Sequence, residues 1–465
     1  MLTQTRATPP LLTALADPVL RILASAALVN TLGRGVFLTL SILYLTLFAG
    51  LSATAVAIVL TIASGVGVLT SIIAGHLADR MSPRRLLVTL VAVEGCALIA
   101  FAWSSEVLVV TALASVTIGA NRASNAVRSA IIARAFEGPS RAGTRAILRA
   151  VSNAGIALGS AAAGIPVLIG TTAGYRITFV LAGCATLAGA ATLLALPRSV
   201  DVSARGADPS NTPTDARTSL PVGRSPFRDP RYLSLTLLAG IFAMQFGVAE
   251  VGLPIWVVAH TQAPHVIVSI ALIVNTAGVI LFQIPLSRGS ENIRRAGNMT
   301  GLAGILMAAA CFAYSGASGV VAPAAVAVLL VAVLLHTFAE ILSSAGTWSL
   351  SFELADRARP GAYQGVFGMG FALGSMLAPL VVTVTALDHG MLGWVALAFV
   401  FLGSAGAVRA LTGGRRTRQS SRVATMIASG RLPGSGVEVG SKRARTSRTM
   451  NPADSIRSES NSTGQ

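Results

Sequence analysis

Twelve long apolar runs, separated by short polar connections, constrain the fold of this chain more than any other feature. Each run approaches the length of about 20 apolar residues that a helix needs to cross a bilayer, whereas a membrane β-barrel shows alternating segments of about 10 residues. Charged residues make up only 11% of the chain, against about 25% in soluble globular proteins. We therefore predict an all-α polytopic membrane protein with twelve transmembrane helices. The predicted spans are residues 20–48, 53–76, 85–103, 107–133, 145–169, 175–196, 231–258, 265–287, 296–315, 321–346, 361–385 and 391–411.

The arginines of the connections indicate the orientation in the membrane. They concentrate in every second connection, beginning with the one that contains Arg80, Arg84 and Arg85, while the connections in between contain only Arg176. Because Lys and Arg accumulate in cytoplasmic loops, this pattern predicts cytoplasmic N- and C-termini in the inner (cytoplasmic) membrane of the cell. The net charge of +17 lies in the connections and the tail, so we expect no nucleic-acid partner.

A duplicated architecture is predicted from the middle of the chain and from a short repeat. The long polar connection at 197–230 separates six apolar runs from six. The hexapeptides GIALGS at 155–160 and GFALGS at 370–375 lie in the fifth run of each set, which favours two pseudo-symmetric bundles. The predicted segments are a cytoplasmic N-terminus at 1–19, bundles at 20–196 and 231–411, the cytoplasmic linker at 197–230, and a disordered basic tail at 412–465. Small residues allow close helix packing, and the glycines expected to do so are Gly155, Gly159, Gly370 and Gly374.

The connection after the second run contains the motif GHLADRMSPRR at residues 75–85. It resembles the pattern G-x-L-A-D-R-x-G-x-R-x-x-L between helices 2 and 3 of the major facilitator superfamily, with Ser82 in place of the second Gly. This resemblance implies the major facilitator fold and secondary transport by alternating access, with Asp79 facing the start of helix 11 near Gly361. It also implies a cytoplasmic gate, whose expected residues are Gly75, Asp79, Arg80 and Arg84. The alternative is that these arginines only fix the topology.

Several ionisable and amide side chains lie inside the apolar runs. Such groups are costly in lipid and usually face a bundle interior or a water-filled cavity. The resemblance implies that helices 1, 4, 7 and 10 line this cavity, and most of these residues fall on those helices. The candidate substrate and proton residues are Arg34, Arg122, Asn125, Glu250, Asn275, His336 and Glu340.

Two of the carboxylates are candidate proton carriers. Glu340, four residues after His336 on the same helical face, is the first candidate, and Glu250 is the second. The alternative is that Glu340 locks the two bundles together by pairing with Arg34 or Arg122. For Glu94 and Arg149, a packing role is at least as well supported by the sequence.

The substrate and direction of transport stay open at this level. Gly155, Gly159, Gly164 and Pro166 partly match a glycine-rich signature of bacterial drug exporters, which this chain resembles most. That resemblance implies proton-coupled efflux of a small amphipathic compound. The alternatives are proton-linked uptake of a nutrient or organic anion, and a transport-inactive membrane sensor. The sequence contains no Walker-type phosphate loop, no metal-ligand spacing of His and Cys and no G-x-S-x-G motif. We expect a monomer without enzymatic activity, cofactor or metal, with protons, a small molecule and lipid as partners.

Overall fold

The computed structural model describes residues 17–48, 50–201 and 223–413. The regular secondary structure of these residues consists of helices, as predicted. Most of the predicted N-terminal segment 1–19, linker 197–230 and tail 412–465 lies outside the described residues.

The described residues form twelve long helices, which overlap the twelve predicted spans. The first six are α1 (Pro18–Leu47), α2 (Ala53–Arg80), α3 (Pro83–Phe101), α4 (Val107–Ala135), α5 (Pro139–Ile169) and α6 (Thr172–Leu193). The last six are α7 (Pro230–His260), α8 (Val266–Leu286), α9 (Ile293–Gly316), α10 (Ala322–Glu353), α11 (Pro360–Val382) and α12 (Asp388–Gly413). A π-helical turn at Val248–Gly252 lies within α7, and another at Thr383–Leu387 links α11 to α12.

Length and composition alone identify ten stretches of the described chain that could cross a membrane. One of them, Pro360–Gly413, contains both α11 and α12. The two helices count as one stretch because helical hydrogen bonding resumes at once after the backbone turns at Gly390 (φ 54°). The remaining helix, α3, has 19 residues and carries Arg84, Arg85 and Glu94, so its composition is less apolar. Once α3 is included and the long stretch is divided at Gly390, the predicted number of twelve helices is confirmed.

Helix ends differ from the predicted spans where the terminal turns are polar. Helix α5 begins at Pro139, whereas the predicted span begins at 145. The apolar run starts later than the helix because the first helical turns contain the polar residues Ser140, Arg141 and Thr144. Helix α10 likewise continues to Glu353 rather than ending at 346. An apolar window excludes such turns, but helical hydrogen bonding continues through them and places these charged residues at the ends of the bundle.

The two halves of the chain repeat the same packing. In α1–α6, helix α1 packs on α5 and α6, α3 packs on α4 and α6, and α2 packs on α4. The equivalent pairs in the second half are α7 with α11 and α12, α9 with α10 and α12, and α8 with α10. These are two pseudo-symmetric six-helix bundles, which is the predicted fold class.

Each half has its own aromatic core. In the first half, Phe179 lies between Tyr44 and Phe101, with ring centroids 5.5 and 5.3 Å away. In the second half, Trp394 lies between Trp256 and Tyr314, at 5.6 and 5.3 Å. Both clusters lie toward the end of the bundle opposite the α2–α3 connection, so each half is held together separately there.

The halves contact each other mainly where α2 ends and α11 begins, which we call the gate end. Helix α11 packs on α2 and α4, and α5 packs on α8 and α10. At Gly75, a side chain would overlap the Gly361 carbonyl oxygen and the backbone of Gly365, so only glycine allows this approach. The orientation of the gate end in the membrane stays a prediction.

The four packing glycines lie at contacts within the halves. Gly155 and Gly159 of α5 face the backbone of α1, at Leu28 and Leu32. In the second half, the backbone atoms nearest to Gly370 and Gly374 belong to Thr236 and Gly240 of α7. The repeated hexapeptide therefore occupies equivalent places in the two bundles, α5 against α1 and α11 against α7.

Candidate functional site

The Asp79 carboxylate connects the two halves at the gate end. It accepts the backbone N–H groups of Gly361 at 2.8 Å and Ala362 at 2.7 Å, and pairs with the Arg134 guanidinium at 2.8 Å. The first N–H groups of a helix lack intrahelical partners and carry partial positive charge, so a carboxylate at the start of α11 is well placed. Asp79 thus faces the start of α11, which is the position that the resemblance implied.

The other expected gate residues have different surroundings. Gly75 lies in the contact with α11, whereas Arg80 is exposed. Arg84 donates to the carbonyl oxygen of Leu194, so it braces the first half rather than crossing the gate. Arg134 lies outside the predicted gate, because a cationic residue at the end of a span is common in cytoplasmic connections and does not by itself indicate a gate contact.

We expect Asp79→Asn to lower transport about tenfold at normal expression. Each charge-assisted hydrogen bond of the carboxylate stabilises the closed gate by about 1.5–3 kcal/mol, and the substitution weakens or removes these bonds. The measurement is a transport rate normalised to the amount of protein in the membrane. Asp201→Asn is the matched control, because Asp201 accepts from Ser82 at 2.7 Å within the first half. Unchanged transport in Asp79→Asn would show that the connection only sets topology.

A cavity of about 160 Å³ lies between the halves. Most of its wall belongs to α1, α4 and α5, and Trp348, Gln364, Gly368 and Phe371 contribute the wall of the second half. Its polar lining is strongly cationic, and the arginines that line it are Arg34, Arg122, Arg128, Arg145 and Arg149. Among the described residues, no carboxylate lines this cavity.

Three of the predicted cavity residues line it, namely Arg34, Arg122 and Asn125. Within the described chain, no carboxylate oxygen lies within 4 Å of the Arg34 or Arg122 guanidinium. The Asn125 side chain bonds to Asn121 and Arg128 rather than to Arg122. Its side-chain oxygen accepts from Arg128 at 3.4 Å, and its amide donates to the Asn121 carbonyl at 3.0 Å.

The four predicted residues of the second half lie outside this cavity. Glu250 is exposed in the π-helical turn of α7, yet it interacts electrostatically with Arg34 and Arg122. His336 is buried in the core of its own half, with Nδ1 3.2 Å from the Tyr314 hydroxyl. The structure therefore gives His336 a partner other than Glu340.

Glu340 joins the two halves beside the cavity. Its Oε1 lies 2.6 Å from the Arg149 guanidinium of α5, and its Oε2 accepts from Asn275 of α8 at 3.0 Å. Its cationic partner is therefore Arg149, not Arg34 or Arg122. One turn earlier on α5, the Arg145 guanidinium stacks on Trp348 at 3.7 Å from the ring centroid.

Glu94 lies behind the cavity wall, fully buried in α3. It accepts the amide groups of Asn30 and Asn121, each at 3.0 Å, and both asparagines line the cavity. It also interacts electrostatically with Arg34 and Arg128. The sequence indicated a packing role for Glu94, but the structure also connects Glu94 to the cavity through these two asparagines.

Sequence reasoning missed most of the contribution of α5. Arg145, Arg149, Ser152 and Ile156 are spaced to share one helical face, and all four line the cavity. Three of the four are polar at this spacing within an apolar run, and that pattern indicates the face. The resemblance places helices 1, 4, 7 and 10 around the cavity and does not include α5.

Comparison with known proteins agrees with this architecture. The sequence profile of the Major Facilitator Superfamily matches residues 23–379. No curated protein matches the sequence significantly. Among solved structures, the human organic anion transporter MFSD10 (TETRAN) is similar with a TM-score of 0.64 and 14% identity, covering 86% of this chain and 100% of that one.

Two further structures share the fold. A bacterial homologue of the iron transporter ferroportin in its outward-facing state has a TM-score of 0.64 and 16% identity, covering 87% of this chain and 100% of that one. The proton:xylose symporter XylE has a TM-score of 0.60 and 14% identity, with 84% and 95% covered. At sequence identities of 14% and 16%, these structural similarities support a shared fold but not a shared substrate. The match to the family over most of the chain and the two repeated bundles establish that this chain belongs to the Major Facilitator Superfamily.

Proposed function

We propose that this protein is a proton-linked secondary transporter of a small organic anion, which works by alternating access. The observation that carries the proposal is the set of five arginines around the cavity, without a carboxylate among the described lining residues. Charged groups in the membrane interior are costly and need a partner. A bound anion would supply that partner for Arg34 and Arg122.

The charge of the cavity favours this function over the efflux of an amphipathic drug. A cationic compound would meet like charges along the wall formed by α1, α4 and α5, and a neutral one would add no counter-charge to that wall. One structurally similar protein is described as an organic anion transporter, but its 14% identity supports the fold and not the substrate. The proposal therefore depends on the cavity.

The bridge between Arg149 and Glu340 supports proton coupling. Opening the gate end separates α5 from α10 and breaks this buried ion pair, which costs about 3–5 kcal/mol when a charged partner is left behind. A proton on Glu340 removes one uncompensated charge, and a substrate anion beside Arg149 compensates the other. Anion and proton would then cross together toward the gate end, which is uptake if that end is cytoplasmic as predicted.

Sealed vesicles that contain the purified protein and an internal pH dye test this function. We expect the interior to acidify when a fully ionised carboxylate, phosphonate or sulfonate of the right size is added outside, because the anion carries a proton with it. Protein-free vesicles control for passive diffusion. Proton flux coupled only to cationic or neutral compounds would favour drug efflux instead, and binding without any flux would favour a sensor.

A further inference from the structure

We propose that the substrate is an elongated dianion that carries its two anionic groups at opposite ends. This inference rests on the proposed function, because it assumes that the cavity binds an anion. It follows from the balance of charge around the cavity and from the division of its arginines into two groups.

The charge balance leaves two positive charges. Three carboxylates interact with four of the five arginines of the cavity. Glu94 acts on Arg34 and Arg128, Glu250 on Arg34 and Arg122, and Glu340 on Arg149.

Among the described residues, Arg145 forms no ion pair with a carboxylate, and its electrostatic neighbours are two further arginines, Arg149 and Arg128. While the bridge between Arg149 and Glu340 is closed, five cations against three carboxylates are neutralised by a ligand with two negative charges.

The arginines form two groups along the cavity. The upper pair is Arg34 and Arg122, which repel each other. The lower group is Arg128, Arg145 and Arg149, which lie closer to the end of α4 and the start of α5, and therefore nearer to the gate end. Arg122 and Arg128 are six residues apart on α4, which separates their backbones by roughly 9 Å at 1.5 Å per residue. A small anionic group bound at one of these arginines therefore leaves the other for a second anionic group.

The guanidinium groups of the lower group are fixed in place. Arg145 stacks on Trp348, Arg149 is held by Glu340, and Arg128 donates to Asn125. They cannot swing toward the upper pair without losing these contacts. Leu148, Ile156 and Phe371 also line the cavity and provide apolar surface for a short carbon chain, and each arginine fork suits a planar carboxylate.

Thermal unfolding of the detergent-purified protein, titrated with sodium salts at constant ionic strength and pH 8, tests the inference. The probes are pentanedioate, its monomethyl ester, butanoate and methylphosphonate, which differ in number and spacing of charges. A ligand that binds the folded state raises the Tm with its concentration. We expect the Tm shift to reach half of its maximum at a concentration of pentanedioate at least about tenfold lower than that of the other three probes. Each of those probes lacks one of the two ionic contacts, and a tenfold difference in affinity is what one such contact contributes.

Two variants test the assignment of the ends. Arg122→Gln removes a cation from the upper pair and Arg145→Gln one from the lower group, and each should abolish the preference for pentanedioate over butanoate. Arg176→Gln is the matched control, because Arg176 is exposed at the start of α6, outside the cavity, and should keep the preference. The ester comparison uses the unaltered protein, so the inference stays testable if a variant does not fold.

The contrary outcomes separate this inference from the proposed function. Equal half-saturation by pentanedioate and its monomethyl ester would overturn the dianion and leave an anion transporter. Tightest binding of methylphosphonate would overturn the two-ended arrangement. No shift of the Tm with any of the four probes, or the same shifts in Arg122→Gln and Arg145→Gln as in the unaltered protein, would overturn anion binding in this cavity altogether.

Discussion

Glu340→Gln is expected to abolish transport driven by a pH gradient, by about 100-fold or more, while exchange of substrate across the membrane continues. Glutamine resembles the protonated carboxyl in shape and charge, so the bridge to Arg149 is released permanently and the gate end can open. Without a titratable group the proton gradient no longer drives the movement. The measurement compares gradient-driven uptake with exchange in the same vesicles.

The matched control is Glu353→Gln at the second ion pair between the halves. Glu353 lies 3.3 Å from Arg141, and its side chain is 26% exposed, compared with 7% for Glu340. This pair is partly exposed, and solvent weakens ion pairs toward the about 0–1 kcal/mol of fully exposed ones, so this variant should keep most of its gradient-driven transport. If gradient-driven transport persists in Glu340→Gln, Glu340 is not the carrier. If exchange is lost as well, Glu340 acts as a lock between the halves.

Arg122→Ala is expected to abolish transport, with a loss of about 100-fold or more. The substitution removes one of the two arginines at the upper end of the cavity, where hydrogen bonds between charged groups are strong. Arg122→Lys should restore only part of the activity, since an ammonium group cannot reproduce the planar, two-pronged guanidinium contact. Initial rates at saturating and at low substrate concentration distinguish weaker binding from slower translocation.

Arg21→Ala serves as the control for this series. Arg21 is exposed on α1, the helix that also carries Arg34, and it does not line the cavity. Its removal tests the general effect of losing a cation near the gate end. Full activity of the Arg122→Ala protein would remove Arg122 from the substrate site.

Local sequence patterns predicted the helices well because the bilayer imposes a simple rule. A membrane-spanning helix must be apolar over about 20 residues, so the spans can be read without knowledge of their neighbours. The errors fall at ends such as Pro139 and Glu353, where polar turns continue a helix beyond its apolar part. Arg34 and Arg122 were found for the same reason, because a charge in the middle of an apolar run stands out.

The α5 side of the cavity was harder to find. Arg145 and Arg149 lie near the end of a span, where arginine is common for topological reasons, and only the packing of α5 against α8 and α10 turns them toward the second half. The connection of Glu94 to the cavity was not visible in the sequence, because it depends on hydrogen bonds from Asn30 and Asn121, which belong to two other helices.

The sequence by itself determined the twelve helices, their division into two related sets and the presence of isolated charges within them. Only the tertiary structure decided which charges meet: Glu340 with Arg149 rather than with Arg34 or Arg122, and five arginines around one cavity. The physical reason is that hydrophobic length and periodicity are local properties of a chain, whereas an ion pair between helices depends on how each helix is rotated and how far it is shifted along its neighbour. Those rotations and shifts are fixed by packing contacts, such as those of Gly75 and Gly155, that join residues far apart in sequence.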